Sequence, residues 1–169
     1  MFTLRCTQKL LKRLKTAPSP SPPAPTTVLG DWYANHVIVG RQHLVVCCSE
    51  RTYLPVIVPA RELASLPSRL TDALGTMLVA LDVPEGALRE ELAAMSEVAI
   101  GKTASRVVVG VLTEYARMLG GGLRGGGGLT RESLWLAETP LFASTSRTVW
   151  PIEATRQAFS QPRGLYLVQ

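Results

Sequence analysis

The chain predicts an α+β fold: an antiparallel β-meander packed against several helices in a single domain. Three observations carry this prediction. Residues 32–58 hold three apolar, β-branched and aromatic runs separated by short turns. Residues 68–81 and 108–119 instead repeat apolar side chains at three- and four-residue steps. Strand-like and helix-like segments come in blocks rather than in strict alternation, which favours α+β over a doubly wound sheet.

In order, Phe2 to Arg5 reads as a short strand. Thr7 is placed to cap a helix through about Lys15, with Leu10, Leu11 and Leu14 inward. Residues 16–28, opening TAPSPSPPAPTT, forbid helix and central strand, and read as an inserted, extended and solvated loop. Trp32–Val39, His43–Cys48 and Tyr53–Val58 are the strands of the meander, and Pro55 and Pro59 put the third at a sheet edge. Arg61 to Leu66 reads as a helical turn that Pro67 interrupts. Ser68–Leu81 is a helix with Leu70, Leu74, Met77, Leu78 and Leu81 inward, and Pro84 opens another to about Met95.

Glu97–Leu119 reads as a strand (Val98–Ile100), a tight Gly101-Lys102-Thr103 turn and a helix. Val108, Val111, Leu112, Tyr115, Met118 and Leu119 form its buried stripe. Thr103 or Ser105 can cap it, and Arg106, Gly110, Thr113 and Arg117 share its other face. Free N–H groups, the helix dipole, Lys102 and Arg106 together describe an anion site. A nucleotide-binding P-loop is excluded, because Ser96 stands where its first glycine belongs. The Gly-rich loop 120–128 reads as slack. Thr130–Glu138 reads as helix or strand, Ile152–Phe159 as a helix, and 164–169 as an apolar tail.

The chain has 169 residues, 46% hydrophobic and 18% charged, enough for a real core and too apolar for disorder. Net charge is +5, and Arg5, Lys9, Lys12, Arg13 and Lys15 precede the first acid, Asp31. Basicity is therefore a local patch. Cys6, Cys47 and Cys48 form no C-x-x-C, and an odd count suits a reducing, cytoplasmic compartment. With His36 and His43 they match no standard metal-ligand spacing, so no metal or cofactor is expected. No apolar run is long enough to span a membrane. Oligomeric state leaves no signature.

The stretches LRCTQKLLKRL, GDWYANHVIVGRQHLVV, TYLPVIVP, IGKTASRVVVGVLTEYA, ETP and WPIEA resemble a bacterial family described as domain of unknown function 6933. The resemblance covers most of the chain, with the Pro-rich and Gly-rich loops as insertions, and implies no activity. The matching positions are Thr7, Lys9, Trp32, Asn35, Arg41, Lys102, Thr103, Arg106, Gly110, Thr139 and Pro140. Where members often read Thr-Lys-Thr-Asn-Asn-Arg, this chain reads Ile-Gly-Lys-Thr-Ala-Ser-Arg, without the amides.

That set is rich in cations and hydroxyls and poor in acids. It suits phosphate contact with a stacking Trp, and does not suit two-carboxylate or metal hydrolysis. Three functions are expected in turn. The first is binding of nucleic acid or another phosphate-bearing ligand through Thr7, Lys9, Trp32, Asn35, Arg41, Lys102, Thr103 and Arg106. The second is a toxin-like ribonuclease or other phosphate-directed enzyme using His36, His43 or Glu114 with Arg106. The third is a module that contacts a protein partner and has no small ligand.

Overall fold

The computed structural model describes residues 1–144 and 147–160. β2 (Trp32–Val39), β3 (Gln42–Ser49) and β4 (Pro55–Pro59) form the antiparallel meander. Gly40 and Arg41 close its first hairpin, with Gly40 at φ 60°, as a two-residue turn requires. β4 is an edge strand.

The sheet does not stop at the meander. β1 (Phe2–Cys6) lies parallel beside β2, and β5 (Val98–Lys102) lies parallel beside β1, giving the order β4-β3-β2-β1-β5. Parallel neighbours need a long crossover. Residues 7–31 supply one through α1 (Gln8–Leu14) and the Pro-rich segment. That segment is extended but is not a free loop. Ser19 N–H donates to Ile100 O at 2.8 Å on the outer side of β5, and Thr26 N–H donates to Met1 O at 2.9 Å. Its prolines have no N–H to offer, so they cover the edge without extending the sheet.

Each face of the sheet carries a core. Phe2, Leu4, Cys6, Trp32, Ala34, Val45, Cys47, Val56 and Val58 point to one face. There they meet Leu10 of α1 and Leu70, Leu74, Met77 and Leu78 of α2 (Leu66–Ala80), backed by α3 (Glu85–Ala94). Tyr33, Val37, Val39, Leu44, Val46, Cys48 and Ile57 point to the other. These pack on Val108, Val111, Leu112, Tyr115 and Leu119 of α4 (Arg106–Leu119), the stripe predicted from spacing. Met118 is only partly buried beside them. α5 (Gly128–Ala137) closes the β4 edge: Ser133 Oγ accepts the Ile57 N–H at 2.9 Å. The β6 (Leu141–Ser144) and β7 (Arg147–Val149) hairpin and α6 (Pro151–Ser160) complete the fold. All three thiols are buried and unpaired.

Several local expectations are corrected. Pro67 lies in the first turn of α2, after a 3-10 turn at Leu63–Ser65, and so starts the helix rather than breaking it. Thr7 makes no side-chain cap. Gly101 is not a turn residue, because β5 continues through Lys102. It is a close approach: a Cβ there would sit 2.7 Å from Thr3 Cγ2. In the 120–128 loop Gly122, Gly125, Gly126 and Gly128 take positive φ, which glycine adopts without strain. The tail 164–169 lies outside the described residues.

Two glycines give opposite predictions. Gly101→Ala forces its methyl into fully buried Thr3 and is expected to cost about 1–3 kcal/mol. Gly110→Ala, with nothing within 4 Å in the middle of α4, is expected to gain about 0.5–1 kcal/mol. Urea midpoints of the two variants against the parent check both signs.

Candidate functional site

β1 and β5 run parallel and end in the same row, Cys6 beside Lys102. Beyond that row the chain parts. α1 leaves β1 for one face of the sheet, and α4 leaves β5 for the other. Adjacent parallel strands whose connections diverge in this way leave a crevice outside their carboxyl ends. Here it is a cavity of about 470 Å³. Its floor is Cys6 and Leu11. Its walls are Gln8 and Lys12 of α1, Lys102 and Thr103 after β5, and Pro18 of the Pro-rich segment.

The electrostatics are one-sided. Lys12 and Lys102 bring two cations, and among the described residues no carboxylate lines the cavity. Lys9, Arg13 and Lys15 ride on or just after the same short helix, all exposed. Among the described residues none of these cations forms an ion pair. Burial pushes the Cys6 thiol up to about 12, so it stays protonated and is not a nucleophile at neutral pH. Cys6 therefore presents a thiol, not a thiolate, to the cavity.

Thr7 sits between two lining residues. Its N–H donates to Ala34 O at 3.0 Å, and its hydroxyl donates to Asn35 Oδ1 at 2.9 Å. This bond across the end of β1 is what replaces the expected helix cap. Arg5, two residues earlier, ties the same strand end, donating through Nε to Asp31 Oδ2 at 2.8 Å and through NH1 to Lys102 O at 3.3 Å.

The other expected residues do not converge here. Trp32 is fully buried in the α1-side core, so its ring has no open face for a base. Arg41 projects from the hairpin turn beyond β2. Arg106 lies on the α4 side, in a separate groove of about 710 Å³ with Glu114, Gly110, Thr139, Pro140 and exposed Phe142. Ser105 Oγ caps α4 by accepting the Val108 N–H at 3.3 Å, and Tyr33 Oη takes the Ser105 N–H at 3.1 Å. One first-turn N–H of α4, that of Val108, is thus taken by the helix's own cap. Lys12 and Gln8 were not singled out by sequence reasoning. The signal for Lys12 was present in the unbroken basic tally before Asp31, and Gln8 left none.

The groups required by a ribonuclease are separated by the sheet. His36 is 1% exposed and shares a face with Trp32 and Ala34, whereas Glu114 and Arg106 stand on the α4 side. Arg117 grips Glu114 through two hydrogen bonds and holds its carboxyl below the usual range, which makes it a weaker base. Among the described residues no three His, Cys, Asp or Glu side chains stand close enough to hold a metal ion. No helix among them is long and apolar enough to cross a membrane.

His36 sets a pH dependence. Its Nε2 lies 3.1 Å from His43 Nδ1, and among the described residues its Nδ1 has no partner. Burial, then the positive charges of Arg13 and Lys9, then His43, hold its pKa below the ordinary value of 6.5. The unfolded chain therefore takes up a proton near that value before the folded chain does. Stability is fully present above pH about 6.5 and falls as the pH drops below it. The urea midpoint is expected to fall more steeply from pH 7 to 5 in the parent than in His36→Gln. Parallel slopes would show that His36 does not control the change.

The chain belongs to the family described as Domain of unknown function (DUF6933), whose model matches residues 3–154. No curated protein and no solved structure matches it.

Proposed function

We propose that this protein binds a phosphate-bearing ligand, a single strand of nucleic acid first, at the crevice where α1 and α4 part. The observation that carries the reading is the cavity at the carboxyl ends of β1 and β5, which among the described residues has two lysines, Gln8 and Thr103 on its walls and no carboxylate. The ammonium groups supply charge for phosphate, and the amide and hydroxyl supply direction. Lys9, Arg13 and Lys15 extend the positive surface along α1 beyond the span of one phosphate, which favours a strand over a lone anion. Trp32 is left out of this account, and Arg106 is not required by it.

The alternative of a protein-contact module draws on the α4–β6 groove, where Phe142 is 83% exposed and Val107 44% exposed. Salt separates the two. Apolar docking is nearly insensitive to it, whereas phosphate contact is screened and releases counterions.

Fluorescence anisotropy with a labelled single-stranded RNA provides the test. Affinity is expected to fall with salt at a log–log slope of about −2 to −3 if three or four phosphates are contacted. Lys102→Gln should reduce that slope by about 0.7. Lys12→Glu with Lys102→Glu should weaken binding more than tenfold, while Arg106→Glu leaves it within about twofold. Salt-independent binding, or binding indifferent to the Lys12 and Lys102 reversals, would overturn the proposal.

A further inference from the structure

Another pocket, of about 480 Å³, lies far from these strand ends in sequence, between the Gly-rich loop and α5. Three features set it apart. Glu132 is 5% exposed and lines it, and among the described residues only one of its oxygens is bonded: Oε1 accepts the Arg124 backbone N–H at 2.6 Å, while buried Oε2 has no donor. A carboxylate oxygen withdrawn from water without a partner is costly, and it marks a position where a donor is missing. Trp135 supplies an aromatic wall, and the Arg124 guanidinium carbon lies 3.4 Å from its ring centroid. That guanidinium stacks without an ion-pair partner among the described residues. A cation on an aromatic face and an unsatisfied carboxylate oxygen thus share one pocket without meeting each other.

The loop backbone accounts for this mismatch. Gly125 and Gly126 take φ of 73° and 84°, and Gly127 packs so closely on Arg131 that a Cβ would lie 2.1 Å from the Arg131 Cδ. The loop holds the Arg124 main chain against Glu132 through the N–H bond, and it leaves the side chain exposed over the ring. The Arg124 side chain can swing into solvent while its N–H stays bonded. The lining then keeps Arg131, Glu132 and Glu138, a net charge of −1, beside an open Trp face.

We propose that this pocket recognises a guanidinium group, with Arg124 as its resident placeholder. A guest guanidinium stacks on Trp135 as Arg124 does, and directs an N–H at Glu132 Oε2. A planar cation with several donors does both at once, whereas an ammonium group has no face to stack. The ligand is an arginine side chain or a free guanidine compound.

Calorimetric titration with argininamide, lysinamide and acetyl-Gly-Arg-Gly-amide tests this in the full chain. Arg124→Ala is expected to bind argininamide at least tenfold more tightly than the parent, and more tightly than it binds lysinamide. Adding Trp135→Leu to Arg124→Ala should abolish binding. Adding Glu132→Gln, which keeps an acceptor for the backbone N–H at position 124, should weaken it tenfold or more. Tripeptide binding as tight as that of argininamide assigns a polypeptide source, and weaker tripeptide binding assigns a free compound. Equal binding, or none, in parent and Arg124→Ala would overturn the proposal. So would binding that survives Trp135→Leu, or lysinamide binding as tight as argininamide.

Discussion

One carboxylate fixes where the first strand lies. Asp31 stands just before β2 and is 1% exposed. Its Oδ1 accepts the Thr3 N–H and its Oδ2 accepts Arg5 Nε, each at 2.8 Å. Its backbone O takes the Glu50 N–H at 2.8 Å, which joins the end of β3 to the same node. Glu91 of α3, fully buried, steadies the approach by accepting the Val28 and Leu29 N–H groups. A buried ion pair of this kind adds little net stability over an apolar substitute, but breaking one side of it is severe. Its effect is positional. It seats β1 between β2 and β5, and only with β1 there do α1 and α4 part around a common row of strand ends.

The meander was legible because its information is local. Alternation, a glycine at a two-residue turn and prolines at an edge are each read within a few residues. The α4 stripe was legible for the same reason. Parallel pairing of β1 with β2 and β5 was not, because it joins residues about 28 and 96 positions apart, as Leu4 with Trp32 and Leu4 with Ile100, and no short pattern records such a pairing. Gly101 misled because glycine serves both turns and close approaches, and only the neighbouring Thr3 decides between them. The Pro-rich segment misled in a similar way: its composition reads as a linker, while its two outlying N–H groups anchor it to the sheet.

The candidate site was half legible. Lys102 and Thr103 followed from a polar turn after a strand, and both line the crevice. Joining them to Arg106 followed from reading Gly101-Lys102-Thr103 as a turn that leads straight into the positive end of the helix. It failed because Lys102 is still in the strand, facing the α1 side, while Arg106 is already on the opposite helix. Trp32 was ambiguous from the outset, since an aromatic residue in a strand serves a core and a stacking platform equally well. Its position opposite Leu4, inside the α1-side core, decides for the core. Lys12 was hidden by abundance, as one of five early cations whose orientation depends on how α1 docks.

The central claim is that the strand-end crevice, and not the face of α4, receives the phosphate-bearing ligand. The most direct measurement is a ¹H–¹⁵N correlation spectrum of the labelled chain titrated with a short single-stranded oligonucleotide. The account predicts amide shifts concentrated at residues 6–15 and 100–105, with residues 107–117 and 139–142 still. Shifts concentrated along α4 and β6, or none in the 6–15 and 100–105 segments at saturation, would contradict it.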